Sequence, residues 1–201
     1  LVYFELINMS IENKNIKTVS KQEIREIQKN KRNQYTNEMR KLLNKRVRKL
    51  MEYLLNYIEK TEEMENRNRE NKIDILIYLS SYEKVEVDTW KIISKLLKND
   101  KYSIYVPKII GNNIVPVMYS NSFTINRYGI FECSDIHNHC GKAEIIPDII
   151  VTPLLAYSIN GDRIGYGGGY YDRYLACVQQ SNKPCITICL LYTSDAADDV
   201  I

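Results

Sequence analysis

The chain has 201 residues, 44% of them apolar and 26% charged, with a formal net charge of +3. Such a length makes one domain, large enough to bury a core without disulfides or structural metal. No apolar run approaches the roughly 18 residues of a membrane-spanning helix, and the start of the chain lacks the basic opening of a signal peptide. Lys21 to Ile58 reads as helix, with Ile24, Ile27, Leu43, Val47, Leu50, Leu54 and Ile58 at steps of three, four and their multiples. Ser20 followed by Glu23 forms a capping box at its start, and a break is predicted near Asn33 to Asn37. Lys60 to Asn71 is poor in apolar residues and reads as a connector.

Ile73 to Leu79 is aliphatic and β-branched, the composition of a buried strand. Val87-Asp88-Thr89 opens a helix reaching about Lys98. Ser103 to Val106 is a strand stopped by Pro107, Ile114 to Tyr119 is another, and Tyr128 to Glu132 passes the sheet edge. Ile149 to Val151 is a short apolar strand closed by Pro153, and Ile186 to Ile188 adds a last one. Strands alternating with helices predict an α/β fold, a mostly parallel sheet flanked by helices. In such sheets ligands sit at the carboxyl ends of strands. Three segments are expected there: Ser80 to Glu86, Pro107-Lys108, and the glycine-rich stretch after Val151.

That stretch, Arg163-Ile-Gly-Tyr-Gly-Gly-Gly-Tyr-Tyr-Asp172, holds four of the eight glycines in the chain and precedes a predicted helix from Tyr171 to Gln180. Glycine lets backbone approach an anion, and the first N–H groups of a helix lack intrahelical partners. The spacing is neither a P-loop nor G-x-G-x-x-G. A triple glycine by itself reads as a tight surface turn; the flanking Arg163, Tyr170, Tyr171 and Asp172 favour a phosphate cradle.

Asn160-Gly-Asp-Arg-Ile-Gly-Tyr-Gly-Gly-Gly-Tyr-Tyr-Asp-Arg-Tyr-Leu175 resembles the signature of the 5-formyltetrahydrofolate cyclo-ligase family. A weaker resemblance runs from about Lys21 to Cys185. It implies a three-layer cyclo-ligase-like fold and ATP- and magnesium-dependent conversion of 5-formyltetrahydrofolate to 5,10-methenyltetrahydrofolate, with release of ADP and phosphate. It implies ATP contacts from Lys21, Arg25, Arg163, Gly165, Gly167, Gly168, Gly169, Tyr170 and Tyr171, with Arg163 also catalytic. It assigns the reduced folate to Glu86, Tyr166, Tyr170 and Leu79, and magnesium to Asp172. Two departures stand out. The loop after Leu79 is one residue longer than the family pattern, and Pro153-Leu-Leu-Ala-Tyr-Ser158 replaces a Pro-Gly and a Phe-Asp pair.

Several features point away from other classes. Cys133, Cys140, Cys177, Cys185 and Cys189 are scattered, as reduced thiols in a cytosolic protein are. Cys133-x-x-x-His137-x-His139-Cys140 offers enough zinc ligands but no second tight pair at a distance, so a loop is expected. The first third is basic, yet its charges interleave with Glu and apolar residues at helical spacing, as on a solvated helix face. Tyr35, Tyr53 and Tyr57 are too sparse for a base-stacking platform. The alternative of a non-catalytic nucleotide- or RNA-binding relative is therefore weaker than the enzyme. No nucleic acid or membrane partner is expected, and the expected form is a cytoplasmic monomer, with a mitochondrial location also open. The expected organisation is an N-terminal extension over 1–20, one domain over 21–188, and a tail over 189–201. Leu1 to Asn8 reads as upstream read-through. The tail resembles a translated sequencing adapter; the family resemblance implies a second acidic magnesium ligand and a closing strand beyond about Cys189, and both are expected to be missing here.

Overall fold

Ser20 begins the structure as its sequence demands. Its hydroxyl accepts the Glu23 N–H at 3.2 Å, and its own N–H donates to the Glu23 carboxylate at 2.7 Å, the reciprocal pair of a capping box. The computed structural model describes residues 20–60, 72–134, 145–158 and 162–192; Leu1 to Ser10, His137, His139, Cys140 and most of the predicted connector and tail lie outside them. Helix α1 spans Lys21–Asn33, and α2, capped by the Thr36 hydroxyl, spans Asn37–Ile58, with the break where it was predicted.

The two helices differ in what they bury. Leu43, Val47, Met51, Leu54, Leu55 and Ile58 line one face of α2 against the sheet. In α1 the buried residue is Arg32, while Ile27 is 49% exposed. The apolar steps at Ile24 and Ile27 therefore do not continue the α2 stripe, because the turn at residues 34–36 rotates the two helices out of phase.

Five strands form the central sheet in the order β3-β2-β1-β6-β9. They are β1 Ile73–Ile77, β2 Tyr102–Ile110, β3 Asn113–Met118, β6 Ile149–Pro153 and β9 Ile186–Leu190. All neighbours are parallel except β2 and β3, which form a hairpin. Between β1 and β2 lies helix α3, Thr89–Leu96, and between β6 and β9 lies α4, Tyr170–Gln180. Strands β4 (Phe123–Ile125) and β5 (Phe131–Cys133) make a separate antiparallel ribbon, as do β7 (Ala156–Tyr157) and β8 (Arg163–Ile164).

Period-two alternation sorts the strand side chains into two cores. Ile75, Ile77, Ile149 and Val151 pack with α2 and α3 on one face. Leu76, Tyr105, Ile114 and Ile150 pack with Tyr174 and Val178 of α4 on the other. This is a three-layer α/β/α arrangement. Ile150 has no exposed surface and sits where the smaller core has few other aliphatic groups. Ile150→Ala should cost about 2–5 kcal/mol of stability, read from urea unfolding; a loss under roughly 1 kcal/mol would mean that this layer collapses around the cavity.

Pro107 does not stop its strand. It pairs with Pro116 across the hairpin, and β1 contacts β2 only as far as Tyr105. Two residues on, the Ile109 N–H points away from β3 to the Glu132 carboxylate at 2.9 Å. The missing N–H of Pro107 thus falls on the side where no strand needs it, which is where a strand tolerates proline. The ribbon β4–β5, rather than a strand merely passing the edge, covers this end. The last strand also runs past Ile188 to Leu190, and Tyr192 is buried, its hydroxyl donating to Asn44 Oδ1 at 2.8 Å.

Candidate active site

The chain leaves β1 through α3 on one face of the sheet and leaves β6 through α4 on the other. Neighbouring strands whose connections diverge open a crevice beyond their carboxyl ends. The segments following Ile77 and Pro153 line that crevice. Of the three segments predicted to meet there, two do. Pro107-Lys108 lies within β2, and the Lys108 ammonium donates to the Cys133 carbonyl at 3.1 Å.

The segment after β1 is held rigidly. Ser80 and Thr89 exchange backbone-to-hydroxyl hydrogen bonds at 3.0 and 3.2 Å, the Thr89 hydroxyl donates to the Tyr78 carbonyl at 2.7 Å, and Trp90 Nε1 donates to the Ser80 carbonyl at 3.0 Å. These bonds fix a turn that forces Val85 to φ +50°, a strained conformation for a β-branched residue. Glu86 follows directly. Its carboxylate accepts the Ser81 N–H at 2.7 Å, and the Tyr166 hydroxyl neighbours it and favours its ionised form. Burial pushes the Glu86 carboxyl above its ordinary value, opposed by the Ser81 N–H, Tyr166, Lys84 and Arg32.

The segment after β6 does not pass straight into the glycine-rich turn. The ribbon β7–β8 intervenes, so Arg163 sits on a strand paired with Tyr157. The turn then runs from Gly165 to Gly169. Gly167 has φ +107° and Gly169, the N-cap of α4, has φ +65°, values that side chains rarely adopt. A Cβ on Gly168 would lie 2.8 Å from the Tyr170 ring. No side chain caps α4, so its leading N–H groups are not taken up by a side-chain cap.

Arg25 and Arg32 reach this segment from α1. Arg25 Nε donates to the Gly165 carbonyl at 2.9 Å. Arg32 donates to the Leu154 carbonyl and, at 3.0 Å, to the Tyr166 hydroxyl. Arg163 pairs with Asp172 at 2.6 Å, with 15% of the Arg side chain and 72% of the Asp side chain exposed. Its guanidinium carbon lies 6.0 Å from the centre of the Tyr171 ring. The Tyr171 hydroxyl is enclosed and has no hydrogen-bond partner among the described residues; burial holds its phenol far above the ordinary range. Tyr170 points outward, its hydroxyl donating to that of Tyr128 at 2.8 Å and its ring 5.0 Å from the Arg173 guanidinium.

The structure therefore joins Arg25, Glu86, Arg163, Tyr166, Tyr171, Asp172 and Gly165, Gly167, Gly168 and Gly169 around one crevice, with Tyr170 at its rim. Two candidates stand apart. Lys21 is exposed in the first turn of α1, and Leu79 is only 3% exposed, packed in the main core. Arg32 was not singled out from the sequence, although it falls seven residues after Arg25 and so on the same helix face. Lys84, whose ammonium lies 5.4 Å from the centre of the Tyr166 ring, and Arg173, whose guanidinium binds the Gly168 and Asn112 carbonyls, were missed too; their motif neighbours gave no separate signal. Of Cys133, His137, His139 and Cys140, only Cys133 is described; it is buried and its sulfur accepts the Ser120 N–H at 3.3 Å.

The family model for 5-formyltetrahydrofolate cyclo-ligases matches residues 17–200. The chain belongs to the 5-formyltetrahydrofolate cyclo-ligase family. A probable 5-formyltetrahydrofolate cyclo-ligase of Schizosaccharomyces pombe is 29% identical over 110 residues, covering 53% of each chain. A 5-formyltetrahydrofolate cyclo-ligase of Haemophilus influenzae is 37% identical over 76 residues, 37% of this chain and 38% of that one. The chain spans about half the length, or less, of the curated relatives it matches. Among solved structures, a 5,10-methenyltetrahydrofolate synthetase of Aquifex aeolicus superposes with a TM-score of 0.59 at 24% identity, over 86% of this chain and 77% of that one. A second, from Mycoplasma pneumoniae, gives 0.58 at 20% identity, over 88% and 92%. At these identities the superpositions establish the shared α/β fold of the cyclo-ligase family. Among the described residues no helix is long and apolar enough to cross a membrane.

Proposed function

We propose that this chain is a 5-formyltetrahydrofolate cyclo-ligase that uses ATP to form 5,10-methenyltetrahydrofolate, ADP and phosphate. The observation that carries the reading is the opposition of two half-sites across one crevice. On one side are the glycine-rich turn, the uncapped start of α4, Arg25 and Arg163, all suited to phosphates. On the other is Glu86, with the Tyr166 phenol of the turn beside it, a carboxylate and a phenol suited to the N–H edge of a reduced pterin.

The formyl oxygen of the folate attacks the γ-phosphorus of ATP, and the bond from that phosphorus to the ADP oxygen breaks. The carbon now bears a phosphate leaving group. N10 attacks it, closes the five-membered ring and loses its proton, and phosphate departs. Such a reaction needs alignment and charge stabilisation more than covalent help from the protein. Arg163 would stabilise the charge spread over the transferring phosphoryl oxygens. The turn glycines admit the phosphates close to the backbone, and Glu86 orients the pterin. Tyr171, with its enclosed and unpartnered hydroxyl beside Arg163, has a donor to offer a ligand oxygen.

Magnesium fits this donor set sparingly. No cluster of three or more His, Cys, Asp or Glu occurs among the described residues, but a magnesium ion held largely by phosphates and water needs only one or two carboxylates. Asp172, exposed beside Arg163, is the residue that would hold it, and the ion would supply neutralisation of phosphate charge.

The direct test is folate-dependent ATP consumption with formation of the methenyl product, followed by its near-ultraviolet absorbance. Equal ATP turnover with and without 5-formyltetrahydrofolate would sink the assignment.

A further inference from the structure

Helix α1 contributes almost nothing apolar to the core, since Arg32 is its buried residue, at 4% exposure. A buried guanidinium is costly unless its donors are used. Arg32 uses them on two different groups after β6, the Leu154 carbonyl and the Tyr166 hydroxyl. The carbonyl alone would serve to anchor the helix. The hydroxyl leads elsewhere, because Tyr166 neighbours the Glu86 carboxylate, which follows the strained Val85 turn and is held by the Ser81 N–H in the loop after β1.

We infer that Arg32 is a positioning residue for the folate half of the site, holding the Tyr166 hydroxyl in place beside Glu86. The inference rests on the proposed cyclo-ligase reading and extends it. Arg32 bonds none of the turn glycines; Arg25, two turns earlier on the same helix face, reaches the glycine-rich turn at the Gly165 carbonyl. One helix thus serves both substrates through two guanidinium groups, and the two effects are separable.

The groups facing Glu86 are Arg32 from α1, the Ser81 N–H and Lys84 from its own loop, Tyr78 from the end of β1, Tyr166 from the glycine-rich turn and Tyr171 from α4. Burial raises the Glu86 carboxyl, while Arg32 and Tyr166 favour its ionised form. Removing the Arg32 charge, or the hydroxyl it holds, takes away support for the carboxylate, so the carboxyl titrates at higher pH. Folate use should then fail at a higher pH as the solution is acidified.

The experiment compares wild type, R32Q, R32K, Y166F and the R32K/Y166F double variant. It measures thermal melting, KM for 5-formyltetrahydrofolate and for ATP, and the pH profile of kcat/KM for the folate. R32Q should raise the folate KM about tenfold, as expected for one hydrogen bond to a charged network, change the ATP KM less than about twofold, and move the acid limb upward. R32K should recover part of the loss. Because Arg32 is held to act through the Tyr166 hydroxyl, R32K should add little in the Y166F background. An unshifted acid limb in folded R32Q, parallel rises in both KM values, or additive effects in the double variant would overturn the inference. Should R32Q not fold, the R32K and Y166F pair decides alone. A wild-type protein that makes no methenyl product overturns the functional reading and this inference with it; an active wild type with additive variants overturns the inference only.

Discussion

Arg163→Ala is expected to lower kcat/KM about a hundredfold, a loss of roughly 3 kcal/mol of transition-state stabilisation, while leaving the fold intact. The guanidinium is largely covered by protein, so its interactions are weakly screened, yet its carboxylate partner Asp172 is open to solvent. Truncating Arg163 therefore leaves no buried charge unpaired. It removes the fixed cation on the strand that enters the glycine-rich turn. The ion pair with Asp172 spreads across the first turn of α4, where an acidic side chain is already favoured by the helix dipole, so the helix survives without Arg163. Arg163→Lys should recover only part of the rate, because an ammonium lacks the planar fork that meets two phosphate oxygens together. The decisive measurements are melting temperature beside steady-state kinetics. A folded Arg163→Ala protein with the wild-type rate would place the guanidinium outside the reaction and reduce its bond to Asp172 to a surface contact.

Gly168→Ala should cost ten- to a hundredfold in kcat/KM, corresponding to about 1–3 kcal/mol of overpacking strain transferred to the site. Unlike Gly167 and Gly169, Gly168 does not have a positive φ, so alanine meets no backbone penalty there. The obstacle is steric alone. Its Cβ would approach Cδ2 and Cε2 of Tyr170 to 2.8 Å, and that ring is held from two directions, by the Tyr128 hydroxyl and over the Arg173 guanidinium. Either Tyr170 swings out or the turn moves from its position below α4. Gly165→Ala makes a graded comparison, since its Cβ would meet only an Arg163 nitrogen at 4.0 Å, and its loss should be smaller. Reversal of that order, measured by kcat/KM for ATP, would show that open space at Gly165 matters more than the fit against Tyr170.

Local chemistry made much of this molecule legible from residue order. The capping box at Ser20, the turn between α1 and α2, and the strands at Ile73 and Ile149 follow from short-range rules, because caps, turns and two-residue alternation are settled by neighbours within one or two turns. The run from Arg163 to Asp172 pointed to an anion site for the same reason: glycine, arginine and a helix start act together over ten residues. Pro107 was misread as a stop because tolerance of proline depends on whether a second strand lies alongside, and β1 has already ended there. Ile24 and Ile27 matched a helical stripe that, once folded, buries Arg32 instead, since the direction of α1 is set by the turn after it. The approach of Arg32 to Tyr166 spans 134 residues, and the nearness of Tyr166 to Glu86 joins loops that follow two different strands. Only the sheet order, with β1 beside β6 and their helices departing to opposite faces, brings those loops together; no spacing along the chain encodes a contact that depends on which strands become neighbours.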